Sequence, residues 1–285
     1  MTPPAFTGTV DLRPGPAPRP QVRLIVFDFD GTLSWIRHGW PDMMRGVMAR
    51  AAAAALPEAS RPTEAELLDI VLGMNGRPSI VQMTRCADLI AERGGARPEP
   101  SDLLRGYAET LDAAIARRAD EVRTGRAADD AYVVFGARAL LEHLAARDFV
   151  LYVLSTTAQD RVRHEAELLG LTRYFGPGGA RIIGGTGDPA KFSKKAEMER
   201  MLAETGLTGD RLLSFGDGPA EARAAKELGG LAVAVCSDEA VNGSGVLHPF
   251  KRRQIMDAGA DAAVPDYRDA VALADWLTGR RKEEG

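Results

Sequence analysis

The chain has 285 residues, room for one large domain or two modest ones, and its 45% hydrophobic and 27% charged content is that of a globular protein with a sizeable core. With 40 acids against 36 bases the net charge is -4, which lacks the clustered basic excess of a nucleic-acid binder. Cys86 and Cys236 lie far apart, outside any metal-ligand spacing, and read as small buried residues in a reducing compartment.

Residues 1–20 carry Pro3, Pro4, Pro14, Pro16, Pro18 and Pro20 and no apolar stretch of the kind a signal peptide needs. They predict a disordered or extended leader. No apolar run approaches the length of a membrane span, so the expected setting is cytoplasmic, with no membrane partner.

Val22 to Phe27 is short, β-branched and almost wholly apolar, the pattern of a strand buried on both faces of a parallel sheet. Directly after it stands Asp28-Phe29-Asp30-Gly31-Thr32. Residues at i and i+2 of extended backbone point the same way, so both carboxyls can reach one pocket. A carboxylate attacking phosphorus forms a mixed anhydride that water can cleave, which splits one hard step into two. A second carboxyl in a partly desolvated place is held protonated and can serve a departing alkoxide.

Residues 35–133 show no strand pattern. Helices are predicted over Asp42 to Leu56, Thr63 to Leu72, Ser79 to Arg93 and Ser101 to Val122, the first helped by the alanine run Ala51 to Ala55. A crossover this long is not a loop, and it predicts an inserted helical domain. Within it, Met74 to Ser79 reads as a turn between helices. Arg77 there is a candidate for holding a second polar group of a substrate. Trp35 and Trp40, flanking the joint, read as packing residues.

From residue 134 onward helices and strands alternate. Further strands are predicted at Phe149 to Leu154, Arg211 to Phe215, Leu231 to Val235 and Ala262 to Val264. Such alternation means an open α/β sheet, whose ligands bind at the carboxyl ends of its strands. Ser155 and Thr156 stand at one such end, before a predicted helix whose first N–H groups suit an anion. Lys191, Lys194 and Lys195 crowd ahead of the third strand, and any of them can supply the positive charge that a phosphate and a carboxylate need between them. After that strand come Gly216-Asp217 and, four residues on, Glu221, acids suited to a hard cation. His38, His143, His164 and His248 show no ligand spacing. Lys251-Arg252-Arg253 reads as a solvated helix face, and residues 279–285 as a charged tail.

Taken together and in this order, the Asp28-Phe29-Asp30-Gly31-Thr32 run, Ser155, the lysine cluster and Asp217 with Glu221 resemble the haloacid dehalogenase-like (HAD) superfamily over Val22 to Trp276. The resemblance implies an α/β fold: a Rossmann-like parallel sheet from residues 21–34 and 134–278, with residues 35–133 as an α-helical cap that closes over the site. It implies Asp28 as nucleophile, Asp30 as general acid and base, and Ser155 as phosphoryl-binding hydroxyl with Thr156 beside it. It selects Lys194 among the three lysines by its distance to the next motif. It implies Mg2+ held by Asp28, the backbone carbonyl of Asp30 and Asp217, with Glu221 standing where many relatives carry Asp. The expected activity is hydrolysis of a small phosphate monoester, a sugar or polyol phosphate, through an aspartyl-phosphate, with no nucleic-acid partner. A phosphomutase uses the same residues and stays open. A dehalogenase lacks the acid that Asp30 supplies, and the intact acids and lysine speak against a non-catalytic phosphate-binding module.

Overall fold

A computed structural model describes residues 2–15, 18–74, 78–185 and 192–279. The described residues form seven strands: β1 (Asp11–Leu12), β2 (Leu24–Phe27), β3 (Val150–Ala158), β4 (Ile182–Gly185), β5 (Leu212–Gly216), β6 (Leu231–Val235) and β7 (Ala262–Val264). Their α-helices are α1 (Trp40–Ala55), α2 (Glu64–Gly73), α3 (Ser79–Glu92), α4 (Pro100–Arg123), α5 (Ala137–Ala145), α6 (Gln159–Leu168), α7 (Lys194–Thr205), α8 (Pro219–Glu227), α9 (Pro249–Asp257) and α10 (Ala270–Leu277). They divide into two compact units, residues 1–36 with 121–285, and residues 37–120.

The larger unit is a single sheet ordered β1-β7-β6-β5-β2-β3-β4, parallel except for β1. β2 lies at its middle, paired with β3 on one side and β5 on the other. Because alternate side chains of a strand face opposite ways, Ile25 and Phe27 enter one core layer with residues of α5 and α10, such as Leu141 and Leu273. Leu24 and Val26 enter the other, with Met198 and Met201 of α7, Ala222 of α8 and Ile255 of α9. Phe27, Phe29 and Phe215 are fully buried, each contributing about 1.5–3 kcal/mol of apolar burial. Phe27 and Phe215 stack with ring centroids 5.0 Å apart. After β2 the chain builds outward through β3 and β4, then returns to β5 on the other flank. The carboxyl ends of β2, β3 and β5 therefore meet at the reversal, where open α/β sheets place their sites.

Two strands were not expected. β4 is two isoleucines followed by two glycines, too short and glycine-rich to stand out as a strand. β1 corrects the expectation of a disordered leader. Asp11 and Leu12 pair antiparallel with Ala263 and Ala262, and Arg13 N–H donates to Asp261 O at 2.9 Å. Further back, Thr7 and Gly8 donate to the Asp269 carboxylate over 2.6–2.8 Å. The prolines fall at either side of residues 5–13, so that window keeps the N–H donors an edge strand needs.

The smaller unit packs α1 to α4 around its own core of Met44, Met48, Leu67, Val71, Met83, Ile90 and Tyr107. α2 begins with a capping box, the Thr63 hydroxyl accepting from Glu66 N–H while the Glu66 carboxylate accepts from Thr63 N–H. The unit is shorter than the 35–133 expected, because residues 121–133 belong with the sheet. The outgoing and returning segments hydrogen-bond each other there: Trp35 N–H to Tyr132 O at 2.8 Å, and Val134 N–H to Leu33 O at 2.9 Å. Arg77 lies outside the described residues.

Candidate active site

The loop after β2 is tied to itself and to β5. Asp28 N–H donates to Phe215 O at 2.9 Å, and Phe29 O accepts from the N–H groups of Thr32, Leu33 and Ser34. Phe29 and Leu33, both fully buried, anchor it in the core. Gly31 sits at φ +70°, and a Cβ there would stand 2.2 Å from Oδ2 of Asp217. Only glycine accommodates both that dihedral and that approach.

Lys194, the first residue of α7, is 8% exposed and donates to Asp28 Oδ2 at 2.8 Å and to Glu221 Oε1. Ser193 caps the helix, its hydroxyl accepting from Ala196 N–H at 3.3 Å, and so fixes where the lysine emerges. Lys195 points away, paired with Glu227 at 2.8 Å and half-exposed. Lys191 lies outside the described residues. Glu221 stands on the other side of the Lys194 ammonium. It is buried in the first turn of α8 and its Oε1 is taken by Lys194. Its Oε2 is buried with no partner among the described residues. Its contacts make it the second counter-charge of Lys194.

Asp30 accepts at Oδ2 from the Thr157 hydroxyl at 2.7 Å. Ser155 is buried, and its hydroxyl accepts from Thr157 N–H at 3.1 Å. Thr156 is exposed. The threonine beside Asp30 is Thr157, which the sequence reading missed although a signal was available. Ser155 and Thr157 share a face of β3 because side chains alternate, which turns Thr156 to the other side.

Asp217 brings in a residue missed by the sequence. Lys251 of α9 is 4% exposed and lies 3.0 Å from Asp217 Oδ2, so the expected solvated face is corrected at that position. Its ammonium also donates to Glu239 Oε1 at 2.7 Å and to Ser237 Oγ at 3.2 Å, while the Ser237 hydroxyl donates to Gly31 O at 2.8 Å. Its neighbours do face outward: Arg252 pairs with Asp11 and Arg253 lies over the Phe250 ring. Burial alone would lower the Lys251 ammonium. The Glu239 and Asp217 carboxylates outweigh it and raise the group above the usual lysine range. Burial pushes the Asp217 carboxyl up to about 6, with Lys251 opposing and the charges of Asp28 and Glu239 adding to the rise.

Among the described residues no three His, Cys, Asp or Glu side chains form a ready-made metal cluster. The donor set of Asp28, Asp217 and a backbone carbonyl nonetheless fits a hard cation, since all are oxygens. Burial first, and then the charge of Asp28, make it costly to ionise Asp217, and a bound cation would relieve that cost.

The haloacid dehalogenase-like hydrolase family matches residues 22–229. The chain belongs to that family and is a hydrolase of it. Over 255 residues, 90% of each chain, it is 27% identical to the phosphoglycolate phosphatase of Rhodospirillum rubrum. Its fold is similar to that of a HAD family hydrolase from Deinococcus radiodurans with bound phosphate and sodium (TM-score 0.61, 16% identity, 91% of this chain and 97% of that one). It is also similar to a predicted phosphoglycolate phosphatase from Haemophilus somnus (TM-score 0.58, 18% identity, 89% and 98%). No described helix is long and apolar enough to cross a membrane.

Proposed function

We propose that the chain is a Mg2+-dependent phosphatase that moves the phosphoryl group of a small monoester to Asp28 and then to water. The observation that carries this is the buried contact of Asp28 with Lys194 beside an Asp30 held by Thr157. An oxygen of Asp28 bonds to phosphorus while the bond to the leaving oxygen breaks, and Asp30 gives that oxygen its proton. Water then attacks the same phosphorus. Asp30 takes the water's proton, and the Asp28–phosphorus bond breaks to free the carboxylate and inorganic phosphate. Ser155 and Lys194 bind the phosphoryl oxygens through both steps. Mg2+ would be held by Asp28, Asp217 and the Asp30 carbonyl, and supplies positive charge against the dianion.

The helical unit stands between the first and second motifs, where capped relatives carry the region that sets substrate choice, and we assign it that role with Arg77 as a contact. The substrate class is a small phosphorylated metabolite, a sugar or polyol phosphate, with phosphoglycolate added by the name of the Rhodospirillum relative. The test is turnover of such a panel by wild type and Asp28→Asn, with Mg2+ and with excess chelator. Wild type should lose activity in chelator, and Asp28→Asn should fall by at least about a thousandfold with an unchanged fold. Near-normal turnover by purified Asp28→Asn would sink the assignment.

A further inference from the structure

Lys251 has no place in the chemistry above, yet it is among the most completely satisfied charges in the protein. An ammonium has three N–H donors, and the three acceptors around this one are Asp217 Oδ2 at 3.0 Å, Glu239 Oε1 at 2.7 Å and Ser237 Oγ at 3.2 Å. Those acceptors arrive from different elements: Asp217 follows β5, while Ser237 and Glu239 lie in the loop after β6. Ser237 passes the constraint on by donating to Gly31 O at 2.8 Å, and the missing Cβ of Gly31 is what lets Asp217 Oδ2 lie close against that loop. The Asp217 carboxylate is therefore gripped by one oxygen only. Among the described residues nothing donates to its Oδ1.

We propose that Lys251 is a positioning residue that makes Asp217 a one-oxygen ligand, and that it thereby sets the site's preference for Mg2+ over Ca2+. This rests on the metal-dependent reading above. Mg2+ demands near-octahedral coordination by single oxygens at short distance. Ca2+ takes six to eight oxygens and accepts both oxygens of one carboxylate. Occupying Oδ2 with an ammonium removes the second mode at Asp217. Groups behind a ligand that fix its orientation commonly change metal affinity by about 10–100-fold when lost.

A role as mere counter-charge is separable from this one. Both cations carry the same charge, so a change in local charge shifts their affinities together, whereas a change in ligand geometry shifts their ratio. The experiment is calorimetric titration of the full chain with MgCl2 and with CaCl2, no substrate present. It compares wild type with Lys251→Met/Glu239→Gln, which removes one charge of each sign and leaves the cluster's net charge unchanged. Wild type should bind Mg2+ more tightly. In the double variant the Mg2+/Ca2+ affinity ratio should fall at least tenfold. Ser237→Ala, which keeps both charges and frees one ammonium donor, should lower the ratio in the same direction by about threefold and serves if the double variant does not fold. A ratio unchanged in a folded variant overturns the inference while leaving the metal site standing. Wild type that binds neither cation overturns the metal reading and this inference with it.

Discussion

Two flanks of the site are built alike. On one, Lys194 in the first turn of α7 lies between Asp28 and Glu221. On the other, Lys251 in the first turn of α9 lies between Asp217 and Glu239. Both ammonium groups are buried, and both would be costly without their carboxylates. The difference is in the third donor. Lys251 spends it on Ser237, whereas Lys194 has two acceptors among the described residues and keeps one N–H for a ligand. A buried cation with a donor in reserve suits binding of a transferred group. One with none in reserve can only hold its neighbours in place.

That division can be broken by experiment. The largest effect is expected from Lys194→Met, which removes the donor proposed to meet the phosphoryl group. kcat/KM should fall about 100–1,000-fold, and raising Mg2+ should not restore it. Recovery at high Mg2+ would make the two lysines equivalent. Next comes Lys251→Met alone. It leaves Asp217 and Glu239 facing each other without their cation, and should cost about 3–5 kcal/mol of stability in denaturant titration. Adding Glu239→Gln should return part of that loss; a single variant as stable as wild type would contradict the contacts. The smallest effect belongs to Thr157→Val, which keeps the shape of the side chain and deletes the hydroxyl on Asp30. Activity should drop by up to about tenfold with little change in melting temperature, the worth of one hydrogen bond. Thr156→Val, on the exposed side of β3, sharpens the point if it leaves activity near wild type.

Much of the sheet and of the site was legible because the signals were local. β2 and β6 are unbroken apolar runs, β5 is interrupted only by Ser214, and Asp28 and Asp217 stand just past the ends of β2 and β5. Only the family resemblance separated Lys194 from Lys195, and the two face different partners. Lys251 was hidden by its company. In a run of three basic residues nothing in composition says which one turns inward, and the acids that hold it lie 12 and 34 positions back in the chain (251 − 239 and 251 − 217). Glu221 was placed by its spacing from Asp217, but that spacing cannot tell a metal ligand from a partner for Lys194. β1 was hidden for another reason. A two-residue strand is recognisable only by what it pairs with, and its partner is β7.

That pairing, between Asp11 and Ala263, joins residues at opposite ends of the chain. On the ribosome, Asp11 emerges early and waits while almost everything else is made. The middle of the sheet is under the same constraint in milder form, since β2 needs both β3 and β5 as neighbours. Residues 37–120, by contrast, form a helical unit whose contacts are near in sequence and can form as they appear. During synthesis β2, the strand that leads into Asp28, is therefore without its flanking strands for longer than any helix of that unit is without its core. An apolar strand with open edges is what aggregates. The vulnerable moment in this protein's life is the interval between the completion of α4 and the arrival of β5.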